Sequence, residues 1–218
     1  MSTSMFTRLG AMLLMIAALA VGVAACGDDS SDDSTSASDE KPVAEIADLS
    51  GVDTSVALDP GFLDALEQLK VTPAPSGDAT LKGTDISFPI TGGNVTYYDP
   101  ASDVRPYVQG TIDHEGSGLT LTAGKTEVEL SDFVIDPGES TLNGTVSVNG
   151  KEAASDALLF NLDGTTLEPL KTNSDGSATL TGTTVKLADS AADLLNETFG
   201  IKDLQGGLVI GISTITVK

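Results

Sequence analysis

The 218-residue chain holds one cysteine, one histidine, no tryptophan, and only 11 basic residues against 32 acidic ones. Each scarcity closes off a class of function. A lone cysteine can form no disulfide within the chain, so whatever folds here stands on its core. One histidine excludes a two-histidine metal site and leaves no histidine relay with a cysteine partner. A net charge of −21 repels nucleic acid. No basic stripe, no aromatic-basic interleaving and no Gly-rich phosphate loop followed by Lys offsets that repulsion, so nucleic-acid partners and nucleotide chemistry fall away.

What is present begins with a leader. Arg8 supplies a single positive charge, and Leu9 to Ala25 is an unbroken apolar run that is short for a bilayer span and ends in small residues. Residues 1–25 therefore read as a cleaved signal peptide. Its end, Val23-Ala24-Ala25-Cys26, resembles the lipobox of bacterial lipoproteins. That resemblance implies that Cys26 is the lipidation site: its thiol takes a diacylglyceryl group, the chain is cut before it, and added acyl chains hold the protein on the outer face of the cell membrane. The membrane is then a partner through the anchor on Cys26. Gly27 to Glu40 reads GDDSSDDSTSASDE, which cannot bury enough apolar surface to offset its ordering entropy. Residues 26–45 are expected to be the lipidated Cys and a disordered acidic stalk, and residues 46–218 one all-β domain.

The domain is rich in Thr, Val, Gly and Asp, the composition of strands and tight turns. Apolar and polar residues alternate over 80–90, 107–113, 119–135, 141–150, 178–187 and 207–217, a period of two that buries one face of each stretch. Turn chemistry recurs at 123–125, 136–139, 148–151, 162–165 and 174–177. The expected fold is mainly β: an antiparallel β-sandwich or barrel-like domain with two short capping helices. One helix is announced by the Asp59 cap and Pro60, the other by Asp189-Ser190 as a cap and Gly200 as a stop. Each follows a T-x-V-x-L strand: Thr54, Val56 and Leu58, then Thr183, Val185 and Leu187. The match, at an offset of 129 positions, fits a duplicated strand-helix unit or a chance recurrence of a common pattern. Either way the helices are expected as lids on the two ends of the core. Charges at Lys125, Glu127, Glu129 and Lys151 read as protection of sheet edges, which makes a monomer the expected state.

Chemistry-bearing residues are few. His114, in GTIDHEGSGL, is expected in a Gly-rich turn, hydrogen-bonded to Glu115 or to backbone. A triad of Ser, His114 and Asp stays open, although no nucleophile-elbow pattern accompanies it. Carboxylate pairs at Asp113 and Glu115, Glu127 and Glu129, and Asp99 and Asp103 have the chemistry to flank a sugar or a divalent ion, but none has calcium-loop spacing. KTNSDGS at 171–177 imitates such a loop without its closing Glu, and turn chemistry accounts for it. The glycosylation-like triplets at Asn94, Asn143 and Asn196 read as strand and helix-surface residues. If the GGNVTYY strand turns back through Pro100 to pair with 107–113, adjacent Tyr97 and Tyr98 face opposite ways. One of them is then buried and meets an apolar pocket near His114, while Tyr107 lies too far along its strand to share a ligand with His114.

The order of elements in VQGTIDHEGSGLTLTAGKTEVELSDFVID (108–136), STLNGTVSVNG (140–150) and TTVKLADSAADLLNETFGI (183–201) resembles that of secreted Gram-positive domains related to the HtaA-type haem-uptake domain, over residues 80–218. In that family a G-H-x-G turn precedes an L-x-L-T strand, and a tyrosine from an opening motif with Trp and Ser-Phe coordinates iron with help from a histidine. His114 stands at the place of the turn histidine. Glu115 and Ser117 depart from the pattern, and the opening motif is absent, so the resemblance places no iron-ligating tyrosine here. The candidate ligand-binding residues are His114, Tyr97, Tyr98 and Tyr107. No catalytic or metal-binding residue is assigned, and no resident cofactor is required. The first reading is a non-enzymatic, lipid-anchored envelope module that binds a protein or small molecule or serves structurally. Its alternative is capture of haem or another small ligand in the HtaA manner, and a third is an envelope-polymer hydrolase.

Overall fold

A computed structural model describes residues 40–218. The expected leader, the lipobox-like end with Cys26 and most of the expected acidic stalk fall outside these residues. The described chain runs β1 (Ala44–Ile46), β2 (Val52–Leu58), α1 (Pro60–Leu69), β3 (Thr72–Gly77), β4 (Thr80–Lys82), β5 (Asp85–Pro89), β6 (Gly92–Tyr97), β7 (Val108–Ala123), β8 (Thr126–Asp136), β9 (Thr141–Val148), β10 (Lys151–Asp163), β11 (Lys171–Thr172), β12 (Ala178–Leu187), α2 (Asp189–Phe199) and β13 (Val209–Val217). The domain is mainly β, as expected, and β1 includes Ala44 and Glu45, two residues expected to belong to the stalk.

All strands join one antiparallel sheet in the order β1-β6-β7-β8-β9-β10-β12-β13-β2-β5-β4, with β3 beside the second half of β7 and β11 beside β12. The sheet curls into a half-barrel rather than dividing into two layers. Bulges bend it. The ladders slip between His114 and Gly118, between Ser131 and Val134, and at several points between Glu152 and Phe160. Gly116, Asp132 and Asp156 take positive φ at these slips, where glycine and aspartate are best tolerated. Asp132 also accepts the Gly116 N–H at 2.9 Å, which fastens two neighbouring bulges together.

The bulges explain why the apolar phase changes along single strands. On β7 the inward residues are Ile112 and His114 before the slip, then Leu119 and Leu121 after it; on β8 they are Val128 and Leu130, then Phe133 and Ile135. His114 thus occupies an inward position of one continuous strand and not the expected turn, because Gly116 serves a bulge. Residues 80–90 also differ from the single strand expected: they form a hairpin, with β4 turning into β5 at Gly83.

Both helices form where predicted. Asp59 Oδ1 accepts the Gly61 N–H at 2.7 Å with Pro60 in the first turn, and Phe62 and Leu66 face the core. The second helix is capped differently from expectation: Ala188 is the N-cap, with no side-chain hydrogen bond, while Asp189 lies in the first turn and Ser190 Oγ donates to the Leu158 carbonyl. Their placement also corrects the picture of one lid per end. β2 and β12 are each antiparallel to β13, hence parallel to one another, so α1 and α2 leave the sheet at the same end. There Phe62, Leu66, Leu195 and Phe199 close the interior around a void of about 20 Å³. The supposed edge charges Glu127 and Glu129 belong to β8, which is paired on both sides, so they are solvent-facing residues of an inner strand. Among the described residues, no helix is long and apolar enough to cross a membrane.

Candidate functional site

The end of the half-barrel away from the helices is not filled. Inward side chains of β2, β5, β7, β8, β12 and β13 enclose a cavity of about 500 Å³. Its wall is aliphatic and aromatic, with Val56, Phe88, Ile112, Phe133 and Ile215 among the contributors. Its rim is made by Arg105, Pro106 and Tyr107 from the loop before β7 with Val108 at the start of β7, Pro137 and Ser140 after β8, and Gly164, Thr165, Leu167 and Leu170 after β10. The last loop is seated on β12: the Glu168 N–H donates to the Thr181 carbonyl at 2.8 Å and Thr166 Oγ1 to the Gly182 carbonyl at 2.7 Å. Gly182 has φ +108°, and a Cβ there would run into the Thr166 carbonyl, so this contact requires glycine.

His114 lies on this wall at 2% exposure. Its Nδ1 is 3.3 Å from the Phe133 carbonyl, which can only accept, so Nδ1 carries the proton. In the neutral ring Nε2 is then an acceptor, and the Thr54 hydroxyl donates to it at 2.8 Å. Burial favours that neutral form and pushes the pKa from 6.5 down to about 4. The Phe88 ring stands edge-on to the imidazole at 6.5 Å and to Phe133 at 5.2 Å. With both nitrogens engaged, His114 is a cross-brace. It ties β7 to β2, which are not neighbours in the sheet, across the interior of the curl. Neither a free base nor an open ligand position remains on the ring.

The tyrosines fall at the mouth. β6 pairs with β7 through Tyr97 opposite Val108. Tyr97 is buried at 7% exposure while Tyr98 is half-buried, so one tyrosine of the pair faces inward as the strand geometry requires. Tyr97 and Tyr107 both line the cavity with ring centroids 6.1 Å apart, edge to face. Burial raises the Tyr97 pKa and keeps its phenol protonated. Tyr98 does not contribute to the wall; its N–H donates to the Tyr107 carbonyl at 2.7 Å. The expectation that the inward tyrosine meets His114 is corrected by the register. Val108, opposite Tyr97, precedes His114 by six positions, about 20 Å along a strand.

The remaining candidates have local explanations. Asp175 accepts both the N–H and the hydroxyl of Ser177, which closes the 171–177 turn on itself. Asn196 braces the 201–208 loop through both polar atoms to Leu204, and Asn143 donates to Asp156 at 2.9 Å. No group of three or more His, Cys, Asp or Glu side chains among the described residues is placed to hold a metal ion. Two site residues escape sequence reasoning. Thr54 carried no signal beyond its place in a strand. Arg105 carried one: it is the only arginine after Arg8.

A curled antiparallel sheet, plugged at one end and enclosing an apolar cavity at the other, defines this chain as a half-barrel domain. It is similar to the C-terminal domain of HtaA from Corynebacterium glutamicum, with a TM-score of 0.53 and 12% identity over 79% of this chain and 98% of that one. It is likewise similar to the heme-binding protein HtaB from Corynebacterium glutamicum, with a TM-score of 0.52 and 11% identity over 80% of this chain and 96% of that one. At such identities the likeness shows the fold, and the expected HtaA-type architecture is the one found. No family model matches the sequence. No curated protein matches it either.

Proposed function

We propose that this domain captures a small molecule with a large apolar body, outside the cell membrane and without transforming it. The observation that carries the reading is the 500 Å³ cavity, whose wall is almost wholly apolar while the braced His114 offers no free base or nucleophile partner. Ligand capture thus takes precedence over a purely structural envelope role. A hydrolase is disfavoured because no carboxylate lines the cavity.

The likeness to HtaB makes haem the first molecule to test. The apolar wall suits a porphyrin face, and the groups that would hold the rest are the hydroxyls of Tyr97 and Tyr107, with Arg105 beside them at the rim. Haem would supply a Lewis-acidic iron, and in this chain Tyr97 and Tyr107 are the residues that would hold it, whereas both nitrogens of His114 are engaged. The test is titration with hemin followed by absorbance. A saturable Soret shift that weakens in Tyr97→Phe or Tyr107→Phe but survives in His114→Gln is expected; no shift at any concentration removes haem from the reading.

The anchor belongs to the same proposal. Cys26 is the one thiol available for lipidation, so Cys26→Ala is expected to move the protein from the membrane fraction to the medium. A variant that remains membrane-bound after a salt wash would instead assign retention to the apolar run before it.

A further inference from the structure

The cavity is polarised, and its charge points to the ligand. In a chain with 32 acidic residues, not one Asp or Glu lines the wall. The only formally charged lining residue is Arg105, an exposed cation at the mouth. Its guanidinium donates to the carbonyls of Ser102 at 2.7 Å, Val104 at 2.6 Å and Pro100 at 3.2 Å. Those neutral acceptors fix its position without cancelling its charge, and among the described residues it makes no ion pair with a carboxylate. Away from the cavity lining, Lys171 is paired with Glu168 and Lys186 with Asp163. Inward of Arg105 come the two tyrosine rings and then a wall that is mainly aliphatic and aromatic, interrupted by the hydroxyls of Thr183 and Ser213 and by the polar pair His114 and Thr54, which satisfy one another.

We infer that the ligand is an amphipathic carboxylate, bound with its acid group on Arg105 at the mouth and its apolar body directed inward past His114. The inference rests on the capture reading and sharpens it. The carbonyls of Ser102, Val104 and Pro100 take three of the five guanidinium N–H donors, which leaves Nε–H and one Nη2–H, enough for two charge-assisted hydrogen bonds to one carboxylate. An uncharged molecule of the same shape gains the apolar burial but leaves the cation unmatched. Two sources supply this chemistry, a long-chain acyl carboxylate and a porphyrin bearing propionates.

The experiment uses the full-length chain and two pairs of probes: palmitate with hexadecanol, and hemin with hemin dimethyl ester. Each is titrated against bound N-phenyl-1-naphthylamine, a neutral dye whose fluorescence reports apolar occupancy. In at least one pair the acid is expected to displace the dye at about tenfold lower concentration than its neutral partner, the factor a charged hydrogen-bond pair provides. Arg105→Gln should erase that preference, while Arg105→Lys should keep most of it. Preference within the palmitate pair alone identifies an acyl source, and within the hemin pair alone a porphyrin. Acids and neutral partners of equal potency on the unmodified chain would overturn the carboxylate inference while capture stood, and this arm decides the matter even if Arg105→Gln fails to fold. A chain that binds neither dye nor any of the four probes would overturn capture itself.

Discussion

The two ends of the curled sheet are made from the same alternating strands and come out unlike. At one end α1 and α2 push Phe62, Leu66 and Leu195 between the strand side chains until a void of only about 20 Å³ is left. At the other, no helix arrives; loops cross the rim with half-buried Leu167 and Leu170, and about 500 Å³ stays open behind them. Strand alternation decides which side chains point inward, but the volume they must fill is set by curvature. A half-barrel bent by bulges encloses more space than its own side chains occupy, so the filling has to come from elsewhere. Where helices supply it the interior is a core, and where they do not it is a binding site.

That contrast is open to direct attack. Leu66→Ala at the plugged end should cost about 2–5 kcal/mol, since Leu66 is 2% exposed and helices cannot collapse into a gap without losing their other contacts. Leu167→Ala at the rim should cost about 1 kcal/mol or less in the same urea titration. Equal losses would mean that the two ends are packed alike and that the cavity is core.

The middle of the barrel yields the next effect, through pH. An unfolded His114 binds its proton near 6.5 and the folded one near 4, so the unfolded chain gains the proton first as pH falls. Stability is therefore full above about pH 7 and declines between about 6.5 and 4, by about 3 kcal/mol at about 1.4 kcal/mol per unit. The carboxylates of Asp163 and Asp175, which Lys186 and Ser177 hold below the ordinary range, lose their contribution only as pH falls further, from about 3.8 downward. Urea midpoints at stepped pH should thus slope in the unmodified protein and lie flat over this window in His114→Gln. A flat profile in the unmodified protein would show that the brace is solvated.

The smallest effect separates the helices of the plug. Asp59→Ala removes a cap hydrogen bond and should cost about 1 kcal/mol. Asp189→Ala removes only a charge beside the helix N-terminus, worth about 0.3–1 kcal/mol and screened by salt. Thermal midpoints at low and high ionic strength resolve the two, and a salt-sensitive Asp59 variant would reverse the assignment.

Much of this architecture was legible before the structure, and the misses share a cause. The run ATLTGTTVKL coincides with β12 because each side of its bulge keeps a clear alternation, with Ala178 and Leu180 inward before Gly182 and Thr183, Val185 and Leu187 inward after it. β10 went unread because its slips between Glu152 and Phe160 break the alternation of KEAASDALLFNLD. His114 was read as a turn residue because Gly116 and Gly118 give a bulge the same composition as a turn; the finer signal was that His114 continues the phase of Ile112 and that Leu119 resumes out of phase. The tyrosine pair was placed correctly by strand geometry but assigned to the wrong depth, because pairing register is a property of two strands and not of either sequence. An apolar pocket near His114 was expected, but its extent had no signature. Alternation marks a residue as inward-facing whether it meets a neighbour or empty space.

The position of β13 carries a consequence for the order in which this chain folds. Residues 209–217 pair on one side with β12 and on the other with β2, whose Val52–Leu58 lie at the opposite end of the sequence. Every residue between must be present before that ladder can form, so the loop-closure entropy of nearly the whole domain precedes its reward. A chain emerging N-terminus first exposes β2 and α1 long before their partner strand arrives, and hairpins such as β7-β8 and β8-β9 assemble while the barrel is still open. This nine-residue strand acts as a keystone of the sheet, since it alone joins β2 and α1 to the strands that carry α2.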